Sequence, residues 1–220
     1  MKSAKDWLPA GPRGRSARTR AAILAAAERQ FAEAGLAGAR TDAIAAAAGV
    51  NKAMLYYYFQ SKQRLYLAVL EEHFREFNRQ ALALLASPGS AREVLLRYVS
   101  LHFDFISSRH RTAPLFHQLL AAGGKPLEQL VRRYIVPRGL AVDRLLERGM
   151  RQREFRNVDR FHAAVSITAL IVFYFSAARV LRQFGRRDAY SPANLKRRKR
   201  EILDFIRHAL FQPDPMRHET

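Results

Sequence analysis

Apolar residues recur at the spacing of an α-helix along almost the whole 220-residue chain, and this periodicity constrains the fold more than any other feature. No long stretch alternates apolar and polar residues between turn residues, as a half-buried strand does. Hydrophobic residues make up 49% of the chain, so a sizeable core can be buried. We therefore predict an all-α protein.

Interruptions of this periodicity indicate where the helices begin and end. The first helix is expected from Ser16 to Gly35, where a glycine can end it. Ser61 can cap a long helix that runs to about residue 86. Pro137 removes a backbone donor and is expected to kink its helix. The other expected helices are 42–48, 52–59, 91–108, 113–122, 126–151, 159–185 and 192–211.

The formal net charge of +19 favours a polyanionic partner such as DNA. Residues 1–70 carry 11 Lys+Arg and 4 Asp+Glu, and the remainder carries 27 and 15, so charge alone does not locate a binding surface. The chain has no cysteine, which excludes disulfides, thiolate zinc sites and cysteine nucleophiles. No apolar segment with a cleavage site of small residues stands at the N-terminus, and we expect a cytoplasmic protein.

The block 41–62 carries the most informative motif. Thr41 can cap a short helix whose inner face is Ile44 and Ala48. Gly49 then permits a tight turn before the next helix. A short supporting helix, a glycine turn and a second helix form the layout of a helix-turn-helix.

The second helix of this block is predicted to have a buried and an outward face. Asn51 is a good N-cap, and Leu55 and Phe59 lie four residues apart on the inner side. Exposed tyrosines on a short helix are hard to explain by packing, whereas their hydroxyls can reach phosphates and their rings can touch sugars or thymine methyl groups. The residues expected to face outward are Lys52, Ala53, Tyr56 and Tyr57.

Lys62 begins the following helix, where the helix dipole repels a cation. A nearby DNA phosphate would offset that cost. Packing of Tyr56–Tyr58 between helices and solvation of Lys62 explain each residue singly, but their combination at this spacing favours contact with DNA.

Together, these residues resemble the DNA-binding signature of the TetR/AcrR family, over about residues 16–70. The resemblance implies a three-helix DNA-binding part followed by six helices that dimerise and bind an effector. It also implies a homodimer joined by its last two helices, a palindromic operator, and repression relieved by a small molecule. The matching positions are Thr41, Ile44, Ala45, Ala48, Gly49, Val50, Asn51, Lys52, Leu55, Tyr56, Tyr57, Tyr58, Phe59, Ser61, Lys62 and Leu65.

The same resemblance implies roles for individual residues. Implied phosphate contacts are Thr41, Tyr57, Tyr58 and Lys62, and implied base contacts are Lys52, Ala53 and Tyr56, with Asn51 at the helix start. The chain departs from the family pattern at Arg40, Ala53, Met54 and Tyr58, which leaves the operator sequence open. The implied division is a basic arm 1–15, a DNA-binding domain 16–62, an effector-binding and dimerisation domain 63–211, and a tail 212–220.

The segment 163–178 is apolar on all sides but shorter than the roughly 20 residues of a membrane-spanning helix. A helix that is apolar all round must be covered all round, so we expect one side to face a second subunit. The predicted homodimer is joined through about 159–185 and 192–211. One apolar stripe of the helix 159–185 is Phe161, Val165, Thr168, Val172 and Phe175. The other stripe is Ile167, Leu170, Tyr174, Ala178 and Leu181. The last helix adds the apolar residues Leu195, Ile202, Leu203, Ile206 and Leu210.

Helices 91–108, 113–122 and 159–185 are rich in aromatic residues, which fits either a filled core or a pocket for a mostly apolar ligand. The family resemblance favours the pocket. No two of the seven histidines are three or four residues apart, so we expect no metal site and no cofactor. The candidate effector residues are Tyr98, His102, Phe103, Phe116, His117 and Tyr174.

Three other functions stay open from the residues alone. The charge also fits a protein that coats nucleic acid without sequence preference, or one that binds a membrane surface. An all-helical enzyme is disfavoured because no paired nucleophile and base is evident, and we expect no enzyme. The basic arm and the run Lys196–Arg200 can contact a polyanion or be solvated.

Overall fold

The computed structural model describes residues 15–110, 113–177, 180, 183 and 188–213, without the side chains of residues 15, 113, 114, 117 and 118. Every regular element in these ranges is helical, which confirms the all-α prediction. The helices are α1 (Arg15–Gly38), α2 (Thr41–Ala47), α3 (Lys52–Phe59), α4 (Lys62–Leu85), α5 (Ala91–Ser108), α6 (Ala113–Ala122), α7 (Gly124–Leu130), a π-helical segment (Val131–Ile135), α8 (Val136–Arg151), α9 (Arg160–Ser176) and α10 (Pro192–Leu210).

Most predicted helix boundaries agree with these bounds within about three residues. The exception is α9, which ends at Ser176, and most of the predicted extension to residue 185 lies outside the described residues. Residues 1–14 of the predicted arm and most of the predicted tail also lie outside them, whereas Arg15 begins α1. Ser61 caps α4 as expected, since its hydroxyl accepts a hydrogen bond from the Arg64 amide at 3.1 Å.

Two predicted interruptions have a physical cause. Gly35 has φ 66° and ψ −178°, a non-helical conformation that residues with a side chain avoid, so it kinks α1, and a short second piece ends at Gly38. Pro137 follows directly after the π-helical segment. Because its ring lacks an amide proton and crowds the carbonyl of Arg133, the wider π turn accommodates it. The distortion expected at Pro137 therefore takes the form of this π-helical segment.

The described chain forms two compact units, which we call the head and the body. The head comprises the described parts of 1–74 and 114–126, and the body comprises those of 75–113 and 127–220. Helix α4 contributes to both units. The division differs in position from the predicted domain boundary at 62/63, which stays a prediction because compactness alone does not define a functional domain.

The head core forms where α1, α2, α3 and the start of α4 bury one face each. Phe31 and Tyr66 meet edge to face with ring centroids 5.2 Å apart. The Tyr66 hydroxyl donates a hydrogen bond to the Leu115 carbonyl, and burial raises the pKa of Tyr66 to about 12. The buried side chains of the head include Ile23, Ala27, Phe31, Ile44, Ala45, Leu55, Phe59, Leu65 and Tyr66.

The body core is built mainly from α5, α8, α9 and α10. Phe103 on α5 packs against Phe175 on α9 with ring centroids 5.2 Å apart. No described helix is both long and apolar enough to cross a membrane. Buried residues at the centre of the body include Leu95, Val99, Phe103, Leu146, Ile171, Phe175, Ile202 and Ile206.

Helix α9 buries one face and exposes the other. Ile167, Ile171 and Phe175 are buried, since residues four apart stay on one side over two turns. Phe175 was predicted to share a stripe with Phe161, but it lies at the border of that stripe and packs inward on Phe103. Phe173, which neither predicted stripe contains, is 65% exposed.

Candidate nucleic-acid interface

The turn between α2 and α3 is closed by backbone hydrogen bonds. The Val50 amide donates to the Ala45 carbonyl at 3.0 Å. Gly49 has φ 67°, a left-handed conformation that glycine adopts without the strain of a side chain. The Asn51 side chain accepts a hydrogen bond from the Met54 amide at 2.7 Å, which confirms Asn51 as the N-cap. These contacts fix where α3 begins relative to α2.

Helix α3 buries Leu55 and Phe59, as the sequence predicts, with 0% and 2% of their surface exposed. Tyr57 is 57% exposed and Tyr56 is 38% exposed. A short helix held by two inward side chains leaves its opposite face free, which is the geometry of a recognition helix. The exposed residues of α3 are Lys52, Ala53, Met54, Tyr56 and Tyr57.

Thr41 does not cap α2, contrary to the prediction. Thr41 is the first helical residue, and the N-cap is Arg40, whose side chain makes no capping hydrogen bond. Because Thr41 is already inside the helix, its hydroxyl is not directed at the free amides of the first turn. It lies 3.4 Å from the Tyr56 hydroxyl, so the structure brings these two predicted DNA ligands together at the surface. Ala48, predicted on the inner face of α2, is only half-buried.

Lys52 has a carboxylate partner that the sequence analysis did not identify. Its ammonium lies 2.9 Å from the Asp42 carboxylate, and both side chains are more than half exposed. The hydrogen bond to Asp42 and its negative charge raise the pKa of Lys52. A DNA acceptor therefore has to compete with Asp42 for this ammonium. An acidic residue in the first turn of α2, ten positions before Lys52, is the sequence signal that could have indicated the pair.

Tyr58 differs from its two neighbours because it is half-buried. Its hydroxyl donates a hydrogen bond to the Ser16 hydroxyl on α1 at 3.2 Å. Its ring meets that of Tyr57 edge to face, with centroids 5.5 Å apart. Tyr57 is thus the most exposed of the three tyrosines, and its ring packs against that of Tyr58.

Lys62 has a structural explanation that does not require DNA. Its ammonium donates hydrogen bonds to the carbonyl oxygens of Ala37 and Ala39, at 3.0 and 3.2 Å. These carbonyls lie at the C-terminal end of α1, where a cation is favourable. The repulsion from α4 that the sequence suggested is therefore compensated inside the head. An ammonium has three donors, so a role in holding a phosphate stays a prediction.

The predicted effector residues are distributed over both units. In the body, the rings of Tyr98 and His102 lie 5.9 Å apart, and Phe103 contacts Phe175. The Tyr174 hydroxyl donates to the Ala189 carbonyl at 2.7 Å. In the head, Phe116 meets Phe74 with ring centroids 5.1 Å apart. The side chain of His117 lies outside the described residues.

The sequence analysis did not identify two buried polar residues of the body, Asn78 and Arg138. The Arg138 guanidinium donates to the Asn78 side chain at 2.7 Å, and Asn78 donates to the Tyr134 carbonyl at 2.6 Å. Burial lowers the pKa of Arg138 and raises that of Tyr98. Burial, with a contribution from Arg138, lowers the pKa of His102 to about 3. No sequence signal singles out Asn78 or Arg138, because they come from two helices, α4 and α8, that are far apart in the chain.

Two family models match the chain. The model described as "Bacterial regulatory proteins, tetR family" matches residues 23–69, and "Tetracyclin repressor-like, C-terminal domain" matches residues 92–206. The first match contains the helix-turn-helix, and the second contains most of the body.

The chain also resembles known proteins in sequence and in fold. The chain is 30% identical over 196 residues to the HTH-type transcriptional repressor NicS of Pseudomonas putida, covering 86% of this chain and 89% of that protein. Its fold resembles that of a transcriptional regulator from Saccharomonospora viridis in complex with choline, with a TM-score of 0.70, 22% identity, and 89% and 99% of the two chains covered. It also resembles FadR from Bacillus subtilis in complex with stearoyl-CoA, with a TM-score of 0.69, 21% identity, and 84% and 96% covered. With its outward-facing α3 and both family models matched in order, the chain belongs to the tetR family of DNA-binding transcription regulators.

Proposed function

We propose that the protein is a homodimeric repressor that binds a palindromic operator through α3 of each copy and is released by a small, mostly apolar ligand. The exposed face of α3 carries this proposal. Lys52, Tyr56 and Tyr57 lie on that face, whereas the residues that hold the helix lie beneath it. An aromatic and cationic surface of this kind suits phosphates, sugars and base edges.

On the operator, α3 enters the major groove. Lys52, Ala53 and Tyr56 contact base edges, and Thr41, Tyr57, Tyr58 and Lys62 hold phosphates. Two copies related by a two-fold axis insert their α3 helices into successive grooves about 34–36 Å apart. Since each copy reads one half-site, the operator repeats the two-fold symmetry of the dimer.

The outward faces of α9 and α10 support self-association. Phe161 and Phe173 on α9 are 70% and 65% exposed, and Phe205 on α10 is 58% exposed. A groove of about 370 Å³ lies between these two helices and can receive side chains of a second copy. Large apolar side chains that stay exposed on neighbouring helices are typical of protein interfaces. Burying them in a two-fold dimer removes this surface from water.

A ligand releases the operator through its differential affinity. If the ligand binds better to a dimer whose α3 helices have a different spacing, it shifts the population away from the state that fits DNA. The mostly apolar body core, with a few buried polar groups, suits a ligand with an apolar part and one or two polar atoms.

The test of DNA recognition is selection of bound fragments from the source genome, including the region upstream of the protein's own gene. We expect the enriched fragments to share a palindrome that resists competition by random DNA at physiological salt. Enrichment without a common sequence would instead indicate nonspecific coating of nucleic acid.

Self-association has a separate test by analytical ultracentrifugation. We expect Phe173→Glu to convert a dimer into monomers while the chain stays folded. Leu140→Glu on α8 is the matched control, because Leu140 is also exposed, at 54%, but lies outside the proposed interface. Ile206, which the sequence predicts as an interface position, is buried in the body, so a charge there disrupts the fold instead. A parent protein that sediments as a monomer at micromolar concentration contradicts the dimer.

A further inference from the structure

The buried polar side chains of the described chain converge in one place in the body. Asn78, His102 and Arg138 are 6%, 5% and 8% exposed, and they come from α4, α5 and α8. Phe77 connects them. Its ring stacks with that of His102 at 4.6 Å between centroids, and the Arg138 guanidinium lies 4.9 Å from its centroid. The Tyr98 hydroxyl lies near the Arg138 guanidinium, since each group affects the pKa of the other.

The charge of Arg138 has no carboxylate partner among the described residues. The guanidinium contacts the Asn78 amide oxygen and the Phe77 ring there, and the Tyr98 hydroxyl lies nearby. The acidic side chains of the chain all lie in the described ranges, apart from Asp6, Asp214 and Glu219 near the termini. A buried charge without a counter-charge is strongly unfavourable, so an arginine in this position calls for an anion from outside the body core.

His102 adds a second, independent observation. Its Nδ1 atom is buried and has no hydrogen-bond partner among the residues that the structure describes. A buried nitrogen without a partner costs free energy, and native proteins keep few such groups. A ligand with a polar atom at this position would satisfy it.

We propose that Arg138, Asn78 and Tyr98 form the binding site for the carboxylate group of a monoanionic organic effector, with His102 beside it. This inference rests on the proposed function, in which the body binds a small effector. It assigns the chemical class of that effector and the residue that selects it.

The chemistry of the cluster favours a carboxylate over other anions. The planar guanidinium fork of arginine matches the two oxygens of a carboxylate. Tyr98 and Asn78 can contribute further hydrogen bonds from a hydroxyl and an amide. His102 is buried in its neutral form, so the cluster carries a single positive charge, which a monoanion balances and a phosphate dianion does not. The aromatic residues around Phe77 suit an apolar body for the rest of the ligand.

The test measures thermal unfolding of the full chain without DNA. The probes are straight-chain monocarboxylates from acetate to decanoate, benzoate and phenylacetate, each compared with its primary amide. We expect at least one acid to raise Tm by about 5 °C at a concentration about 100 times its Kd, whereas its amide does not. Equal shifts with acid and amide, or no shift with any acid, overturn the proposal.

Variants identify the residue responsible. Arg138→Met should weaken binding of the acid by about tenfold to 100-fold, and the ligand-free Tm should not fall, because an uncompensated buried charge is removed. Arg109→Met is the matched control, since the Arg109 guanidinium also stacks on a ring, that of Phe105 at 4.2 Å, but pairs with Glu76 at 2.8 Å. An unchanged affinity in Arg138→Met, or an equal loss in Arg109→Met, contradicts the assignment.

If Arg138→Met fails to fold, Tyr98→Phe replaces it, and we expect acid binding to weaken about three- to tenfold. Operator release by the same acid is measured separately. If the acid binds through Arg138 but does not release the operator, the anion site exists but is not the effector site. If a neutral apolar compound releases the operator and no acid binds, the proposed function stands and the anion site is refuted.

Discussion

The functional polar side chains are exposed in the head and buried in the body. In the head, Lys52, Tyr56 and Tyr57 lie on the exposed face of α3, whereas Leu55 and Phe59 are buried on its opposite face. In the body, the polar cluster around Arg138 is buried among apolar helices. Exposed groups keep their water until a partner binds, whereas buried polar groups affect stability even when no ligand is present.

Substitutions in the two regions should therefore affect different measurements. Substitutions on the outer face of α3 should change affinity for DNA and leave unfolding unchanged. Substitutions in the buried cluster of the body should change unfolding and ligand binding, and leave affinity of the ligand-free protein for DNA unchanged. The four predictions below test this separation, in order of decreasing effect.

The largest effect is expected at the inner face of α3. Phe59 is 2% exposed, and the Arg20 guanidinium lies 5.5 Å from its ring centroid. Phe59→Ala should therefore lower the free energy of unfolding of the head by about 3–5 kcal/mol, through lost burial and the cavity left behind. Denaturant titration measures this, with Tyr57→Ala as the control that should change stability by less than about 0.5 kcal/mol. Similar losses in both variants would mean that α3 has no distinct inner and outer faces.

The next effect concerns pH and the body. Because the pKa of His102 is about 3 when folded and about 6.5 when unfolded, the unfolded state binds more protons between these values. Its contribution to stability is constant above about pH 6.5 and falls by about 1.4 kcal/mol per pH unit as the pH decreases towards 3. His102→Leu should remove this part of the slope, which chemical denaturation at a series of pH values measures. Identical slopes for parent and variant would show that His102 titrates normally.

The third effect returns to the outer face of α3. Tyr57→Ala should weaken binding to operator and random DNA alike by about tenfold, since it removes a contact to the phosphate backbone. Titration of labelled DNA measures both affinities. The Tm should match the parent, and a loss of affinity accompanied by a lower Tm would assign Tyr57 a packing role instead.

The smallest effect tests the carboxylate beside Lys52. Asp42→Asn should leave the Lys52 charge uncompensated beside the phosphate backbone, and the dependence of log Kd for DNA on log salt concentration should steepen by about 0.9 per subunit. Asp143→Asn in the body is the matched control, because Asp143 also pairs with an arginine, Arg160, at 3.0 Å. If both variants change the salt dependence equally, total charge rather than the Lys52–Asp42 pair is responsible.

The head could be predicted closely from the sequence because its geometry is local. The caps, the glycine turn and the four-residue spacing of Leu55 and Phe59 fix α3 within a few residues of chain. Contacts between helices of the head could not be predicted in this way. Thr41 and Lys62 were interpreted from their own helices, and both have their partners on another helix, Tyr56 on α3 and the end of α1.

The body was predicted at the level of helices but not of contacts. Residues 78, 102 and 138 are too far apart in the chain for any spacing rule to associate them. The aromatic content of α5 and α9 fitted a filled core as well as a pocket, and it could not show that Arg138 is buried among these helices. Likewise, helical periodicity located α9, but its all-apolar sequence left open whether Phe173 or Phe175 faces inward.

If the outer face of α3 reads DNA sequence, as we propose, the ratio of Kd for random DNA to Kd for the selected operator is large. At physiological salt the parent protein should show a ratio of at least about 10³. Tyr56→Ala should lower this ratio by about tenfold or more while its Tm matches the parent, because a base contact is lost in each half-site. A parent without sequence preference, or a Tyr56→Ala variant that keeps the full ratio, would contradict the claim.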